Sequence, residues 1–153
     1  MPESDNKVKA FISQMQGKLK DVGVSAFNKD HKKFLGLLVE FHELVERLTK
    51  QRPSKEDWIR IENFLIHLAE YASKHFAAEE SLMCKYKYHE SVDHKKEHDE
   101  FLKKYKFYSS TLLERRDILY VVDLKYFMLD WFFHHVGHVD VKYKPFFAQL
   151  GIQ

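Results

Sequence analysis

The sequence predicts an all-α protein: an antiparallel, up-down-up-down four-helix bundle with an N-terminal arm or short helix. Three observations carry this. Four long segments repeat apolar residues at alternating three- and four-residue steps, which line one face of a helix. Only five Gly and three Pro interrupt the 153 residues. Long helices with short connections pack best as antiparallel neighbours, and the same spacing suits near-parallel contacts.

Residues 1–21 read as the arm, where Val8, Phe11, Ile12, Met15 and Leu19 make one apolar stripe, and residues 22–153 as the bundle. The first bundle segment runs from about Asn28, a plausible N-cap, to Lys50. Its inner positions are His31, Leu35 or Phe34, Leu38, Phe41, Val45 and Leu48. The second runs from about Lys55 to Lys85 through Trp58, Ile61, Leu65, Leu68, Ala72, His75, Glu79 and Leu82. Ser54 and Asp57 make a capping-box pattern at its start. The third, capped by Ser91, runs from about Val92 to Leu113 through His94, His98, Phe101, Tyr105, Tyr108 and Leu112. The fourth starts near Asp117, passes Val121, Leu124, Met128, Trp131 and His135, and is expected to end before Pro145.

Composition excludes several classes. The 25 Lys and Arg against 23 Asp and Glu leave a net charge of +2, without the basic excess of a nucleic-acid binder. One cysteine, Cys84, forbids an internal disulfide and fits a reducing compartment. No apolar run approaches the ~20 residues of a membrane span, and the N-terminus lacks a signal-peptide core. The expected location is cytoplasmic.

The informative positions are polar groups on the apolar stripes. His75 and Glu79 sit one turn apart on the second segment, His94 and His98 on the third, with His31 on the first and His135 on the fourth. An i, i+4 pair points both side chains to one side of a helix. A lone buried His is more often a hydrogen-bonded core residue than a ligand, and a single His-x-x-x-His is weak. Here two pairs and two singles all fall on inner faces. Burying them unpartnered would cost several kcal/mol, which bound metal resolves. Imidazole suits Fe, Zn, Cu or Ni, and ligands from four helices point to two ions. Rival motifs fail: His89-Glu90 precedes His94 by one residue too many for the zincin helix, and no Glu-x-x-His of the carboxylate-rich di-iron proteins occurs.

These residues resemble the hemerythrin family, most closely its bacterial members. The run His75-Phe76-Ala77-Ala78-Glu79-Glu80-Ser81-Leu82-Met83 is similar to the family's second-helix motif. Tyr88 and His94-Lys95-Lys96-Glu97-His98-Asp99-Glu100-Phe101 match the next block. Trp131-Phe132-Phe133-His134-His135-Val136 with Asp140 and Tyr143 resembles the last, and Val22-Gly23-Val24 leading to His31 the first. The resemblance implies a non-heme centre of two Fe ions, oxo- or hydroxo-bridged, that binds O2 reversibly. By position, His94, His98 and His135 would hold one iron, and His31 and His75 the other, which keeps an open place for O2, a small anion or nitric oxide. Glu79 and Asp140 would bridge. Phe76, Trp131, Val136 and Leu35 are expected to line an O2 pocket, from their nearness in sequence to the ligands. Such proteins are oxygen carriers or stores rather than enzymes. A sensor of O2 or redox state, or an enzyme handling peroxide, nitric oxide or iron oxidation, is the alternative.

Periodicity fits the resemblance less well at one place. Asp140 lies five residues past His135, about 140° around an ideal helix. His138 continues the stripe better and pairs with His134. Either a carboxylate reaching sideways or a helix unwound after Gly137 would reconcile Asp140 with the site. The expected ligands are His135 and Asp140, with His134 and His138 solvated and Glu80 at the surface. Asn28 and Asp30 depart from the family's common residues and are expected to affect the helix start rather than ligation. Lys87 and His89 replace a frequent Gly and Pro, so that turn is expected to differ. Gly137 is expected to ease the access of water or anions to the site.

Overall fold

The computed structural model describes residues 2–153. Six α-helices run in chain order: α1 (Pro2–Gly17), α2 (Ser25–Leu48), α3 (Lys55–Lys85), α4 (Ser91–Arg115), α5 (Ile118–His134) and α6 (Tyr143–Gln149). A π turn (His135–Val139) and a 3-10 turn (Asp140–Lys142) join α5 to α6. There is no strand among the described residues, as the sequence predicts. Helix α2 packs on α3 and α5, and α4 packs on the same two, closing a ring of four. His31 near the start of α2 meets His75 near the end of α3, and His98 near the start of α4 meets His135 at the end of α5. Successive helices are therefore antiparallel, and one end of the bundle gathers residues from all four.

The apolar stripes become the core. Leu38, Phe41, Val45 and Leu48 of α2, Ile61, Leu65 and Leu68 of α3, Leu112 of α4, and Val121, Leu124 and Met128 of α5 are almost fully buried. Helix α1 lies against this body through the half-buried Phe11, Ile12 and Met15, followed by Leu19 just past its end, with Phe11 stacked on His42 at 4.2 Å. Val8, expected on the same stripe, has its side chain outside the described residues.

The helix ends show where local chemistry decides. Ser54 Oγ accepts from the Asp57 backbone N–H at 3.1 Å, and Asp57 Oδ2 accepts from the Ser54 N–H at 2.9 Å, a complete capping box. Ser54→Ala should cost about 1 kcal/mol, or about 2–4 °C in a chain of this size, read by thermal unfolding. Asp117 caps α5 by accepting from the Leu119 N–H at 2.9 Å.

Two expected caps are corrected. Helix α2 starts earlier, at Ser25, so Asn28 lies inside it. Its side chain instead accepts from the Val22 N–H at 3.0 Å and donates to Asp21 at 2.8 Å, folding the entering chain onto the first turn. Gly23 in that chain has φ +81°, and a Cβ there would lie 2.7 Å from Lys144 Cγ. Ser91 is the first residue of α4 rather than its cap. Lys87 takes φ +56°, so the turn before Tyr88 holds a left-handed residue without the glycine that usually tolerates it. Nor does helical structure stop before Pro145. This proline sits in the first turn of α6, where its missing N–H breaks no bond.

Candidate metal centre

Seven side chains converge at the closed end of the bundle: His31 from α2, His75 and Glu79 from α3, His94 and His98 from α4, and His135 and Asp140 from the π turn and its end. All are buried, Glu79, His98 and Asp140 completely. They form two overlapping groups whose ligand atoms lie within 4.8 Å of one another. One is His94, His98, His135, Glu79 and Asp140; the other is His31, His75, Glu79 and Asp140. Both carboxylates are shared. Oε1 of Glu79 lies 3.0 Å from His75 Nε2 and 3.5 Å from His31 Nε2, while Oε2 lies 3.3 and 3.2 Å from His94 and His98 Nε2. Asp140 Oδ1 lies 3.0 Å from Nε2 of His94 and of His135, and Oδ2 3.2 Å from Nε2 of His31.

The π turn resolves the misfit of Asp140. An α-helix would place it about 140° from His135. Here the Asp140 N–H donates to the His135 carbonyl, an i to i+5 bond that stacks the two residues one above the other. The helix widens by one residue rather than unwinding. His134 and His138 are left outside, exposed and stacked on each other at 4.8 Å.

The contacts suit ligands around a point better than a closed hydrogen-bond network. Both Asp140 oxygens are buried and hydrogen-bonded to nothing, despite three imidazole nitrogens within 3.2 Å. His98 and His135 turn their Nδ1 atoms outward, toward Glu80 at 2.8 Å and Glu97 at 3.0 Å. A neutral ring that donates from Nδ1 has a bare lone pair on Nε2. The two Nε2 atoms face each other at 3.0 Å, as do those of His31 and His75. Lone pairs so placed need a cation between or beside them, metal or proton. Imidazole and carboxylate donors suit first-row transition metals, so this donor set fits an iron pair.

The electrostatics show protons filling the role when metal does not. Burial disfavours charge on His31 and His94, but the close-lying carboxylates of Asp140 and Glu79 outweigh it and lift both to about 9. His75 and His135 are raised for the same reason. Burial likewise opposes ionisation of Glu79, yet the His75 charge and hydrogen bonds from His31, His75 and His94 hold it well below the usual carboxylate range. Asp140 is also held low, by His135 and His31, against burial and the Glu79 charge.

Four residues support the site in roles that their sequence positions alone do not assign. Asp30 holds His75 Nδ1 at 2.9 Å and also accepts from the Tyr71 hydroxyl at 3.1 Å. Glu80 and Glu97 hold His98 and His135. The Tyr143 hydroxyl donates to Glu79 Oε1 at 2.9 Å. Glu80 is therefore no free surface residue, and Asp30 acts on the site rather than on the helix start. A signal was present: Asp30, Glu80 and Glu97 each adjoin a site residue in sequence, and each reaches a histidine of another helix. Asp30→Asn should weaken metal binding about 10- to 100-fold with the fold intact, measured by chelator competition.

A cavity of about 20 Å³ adjoins the two-histidine group, lined by His31, His75, Phe34, Phe76, Trp131 and Val136 among others. Leu35 does not line it. That side chain is buried over a separate hollow beneath α1, with Ile12 and Leu19, and Phe34 takes the expected place. Gly137 is likewise corrected: a Cβ there would point at Lys20, 3.8 Å away, so it opens nothing onto the cavity.

Five imidazoles and two carboxylates gathered inside a four-helix bundle define a histidine-rich metal-binding bundle. The chain belongs to the hemerythrin family: the Hemerythrin HHE cation binding domain matches residues 22–147. It is 24% identical over 123 residues to a bacteriohemerythrin of Clostridium acetobutylicum, across 80% of this chain and 92% of that one. It is 39% identical over 77 residues to a myohemerythrin of Sipunculus nudus, across 50% and 58% of the two chains. A solved structure of a leucine-to-phenylalanine mutant shares the fold at 23% identity and a TM-score of 0.66, covering 81% of this chain and 88% of that one. Among the described residues no helix is long and apolar enough to cross a membrane.

Proposed function

We propose that the chain binds two iron ions in this centre and binds O2 reversibly, as a carrier, store or delivery protein. The facing Nε2 atoms and the unpartnered oxygens of Asp140 carry this reading, because they leave two shared-edge places for cations. His94, His98 and His135 would hold one ion and His31 and His75 the other, with Glu79 and Asp140 common to both. When bound, an iron pair supplies one electron per metal to O2 and recovers both on release.

The protein's own part is to position and exclude. The cavity beside His31 and His75 has room for one water-sized or diatomic molecule. This is where O2, nitric oxide or a small anion would bind. Phe34, Phe76, Trp131 and Val136 give it apolar walls, which keep out bulk water and protons. Asp30, Glu80 and Glu97 fix three rings with Nε2 inward. Tyr143 holds Glu79 while remaining protonated; burial and the charges of Glu79 and Asp140 lift its hydroxyl well above its ordinary value. Five neutral imidazoles with only two carboxylates supply little negative charge, which favours reversible binding of O2.

The test is anaerobic loading with Fe(II), a count of iron per chain, then admission and removal of O2 under visible absorption. Two irons and a band that comes and goes are expected. Irreversible oxidation would exclude the carrier reading and favour enzymatic chemistry.

A further inference from the structure

Aromatic rings lie flat on the three imidazoles of the larger group. Phe76 stacks on His98 at 3.9 Å and 8°, Trp131 on His135 at 4.3 Å and 12°, and Tyr143 on His94 at 5.8 Å and 27°. The Trp131 stack continues outward. Trp131 meets Phe101 at 4.2 Å, Phe101 stacks on Phe127 at 5.5 Å, and Phe127 stacks on Tyr108 at 5.7 Å. Tyr108 is half-buried on α4 and borders the exposed Phe107. The ladder thus runs from a site histidine to the surface. Tryptophan and tyrosine, among the side chains most easily oxidised by one electron, stand at its inner and outer ends, bridged by two phenyl rings. Tyr143 also leads outward, through Phe147 at 5.2 Å to the half-buried Phe146 at a further 5.3 Å, but that route ends on a phenyl ring rather than on an oxidisable phenol or indole.

We propose that Trp131, Phe101, Phe127 and Tyr108 form a one-electron path from the metal centre to the surface of α4, and that the protein uses it to reduce hydrogen peroxide at the expense of thiols. The proposal rests on the iron-pair reading above. Reduction of hydrogen peroxide to two waters breaks one O–O bond, forms two O–H bonds and consumes two electrons and two protons. Trp131 gives one electron and its indole proton, and Tyr108 one electron and its phenol proton, the protons equilibrating through solvent. Two thiols then return one hydrogen atom to each side chain and end as one disulfide. The balance is one peroxide and two thiols to two waters and one disulfide, with the protein restored.

The experiment treats the iron-loaded, oxidised full chain with one equivalent of hydrogen peroxide and freezes it for electron paramagnetic resonance, with ring-deuterated Tyr or Trp to assign the signal. A tyrosyl signal is expected that a small thiol quenches, with one disulfide formed per peroxide. Tyr108→Phe keeps the ring stack and removes only a hydroxyl. It should abolish the tyrosyl signal and leave a tryptophanyl one, at unchanged iron content. Trp131→Phe should lose both, with iron counted in the same sample. A tyrosyl signal that survives Tyr108→Phe and disappears in Tyr143→Phe overturns the path. So does peroxide consumption by the two-iron protein without any side-chain radical. A chain that takes up no iron pair overturns both this proposal and the reading beneath it, and the iron count separates the cases.

Discussion

Glu79→Ala is expected to hold fewer than two irons and, with iron in excess, to melt on the order of 10 °C below the native chain. The reason is geometric. Glu79 belongs to both ligand groups and lies within 3.5 Å of four imidazole nitrogens, so one truncation removes a donor from each place. Metal at a thousandfold excess over its Kd adds about 4 kcal/mol to folding, and each kcal/mol is about 2–4 °C at this chain length. The iron-free variant should also be weaker than the iron-free native chain. It keeps buried imidazoles whose charge Glu79 had balanced, and breaking a buried ion pair costs about 3–5 kcal/mol. Differential scanning calorimetry with and without iron checks both statements. Equal melting temperatures of the native protein in the two states would show that the centre does not organise the core.

Metal loading at pH 7 should release at least about two protons, because His31 and His94 stay protonated in the metal-free fold up to about 9 and must be neutral to ligate. Apparent affinity should then rise by as much as about a hundredfold per pH unit between 7 and 9 and flatten above. Proton release into a weakly buffered dye solution measures the count directly. The same shifts set the stability of the metal-free protein. A histidine raised from 6.5 to about 9 stabilises the fold fully below 6.5, and that contribution disappears as pH rises through 9. Glu79 and Asp140 are lowered, so their contribution is present above the ordinary carboxylate range and is lost in acid. The metal-free chain should lose stability on both sides of neutrality. The loaded chain should hold on the alkaline side, since metal rather than protons then balances the carboxylates.

Much of this was legible in one dimension. Periodicity placed His75, Glu79, His94 and His98 on inward faces, and the structure brings them together. The bounds of α3 match because Ser54 and Asp57 cap it locally. The acids that hold the rings were missed because their partners are remote: Asp30 reaches His75 across 45 residues, Glu97 reaches His135 across 38, and Glu80 reaches His98 across 18. Helical spacing tells which face a residue is on, but not which neighbour flanks that face. Leu35 and Phe34 show the same limit. Adjacent on one helix, both are buried, yet they serve different hollows because α1 covers one side of α2 and the site lies on the other.

The sequence by itself determined the helical class, the four seams and six of the inward side chains, through residue type at a fixed spacing, and its resemblance to the family added Asp140. Tertiary structure alone decided three things. The π turn brings Asp140 over His135, a one-residue widening that no ideal period anticipates. Carboxylates on neighbouring helices choose which ring nitrogen faces inward. The packing of Phe34, Phe76, Trp131 and Val136 sets the size of the cavity. The physical reason is common to all three. Periodicity is a property of one helix, whereas tautomer, register and void volume are properties of the space between helices.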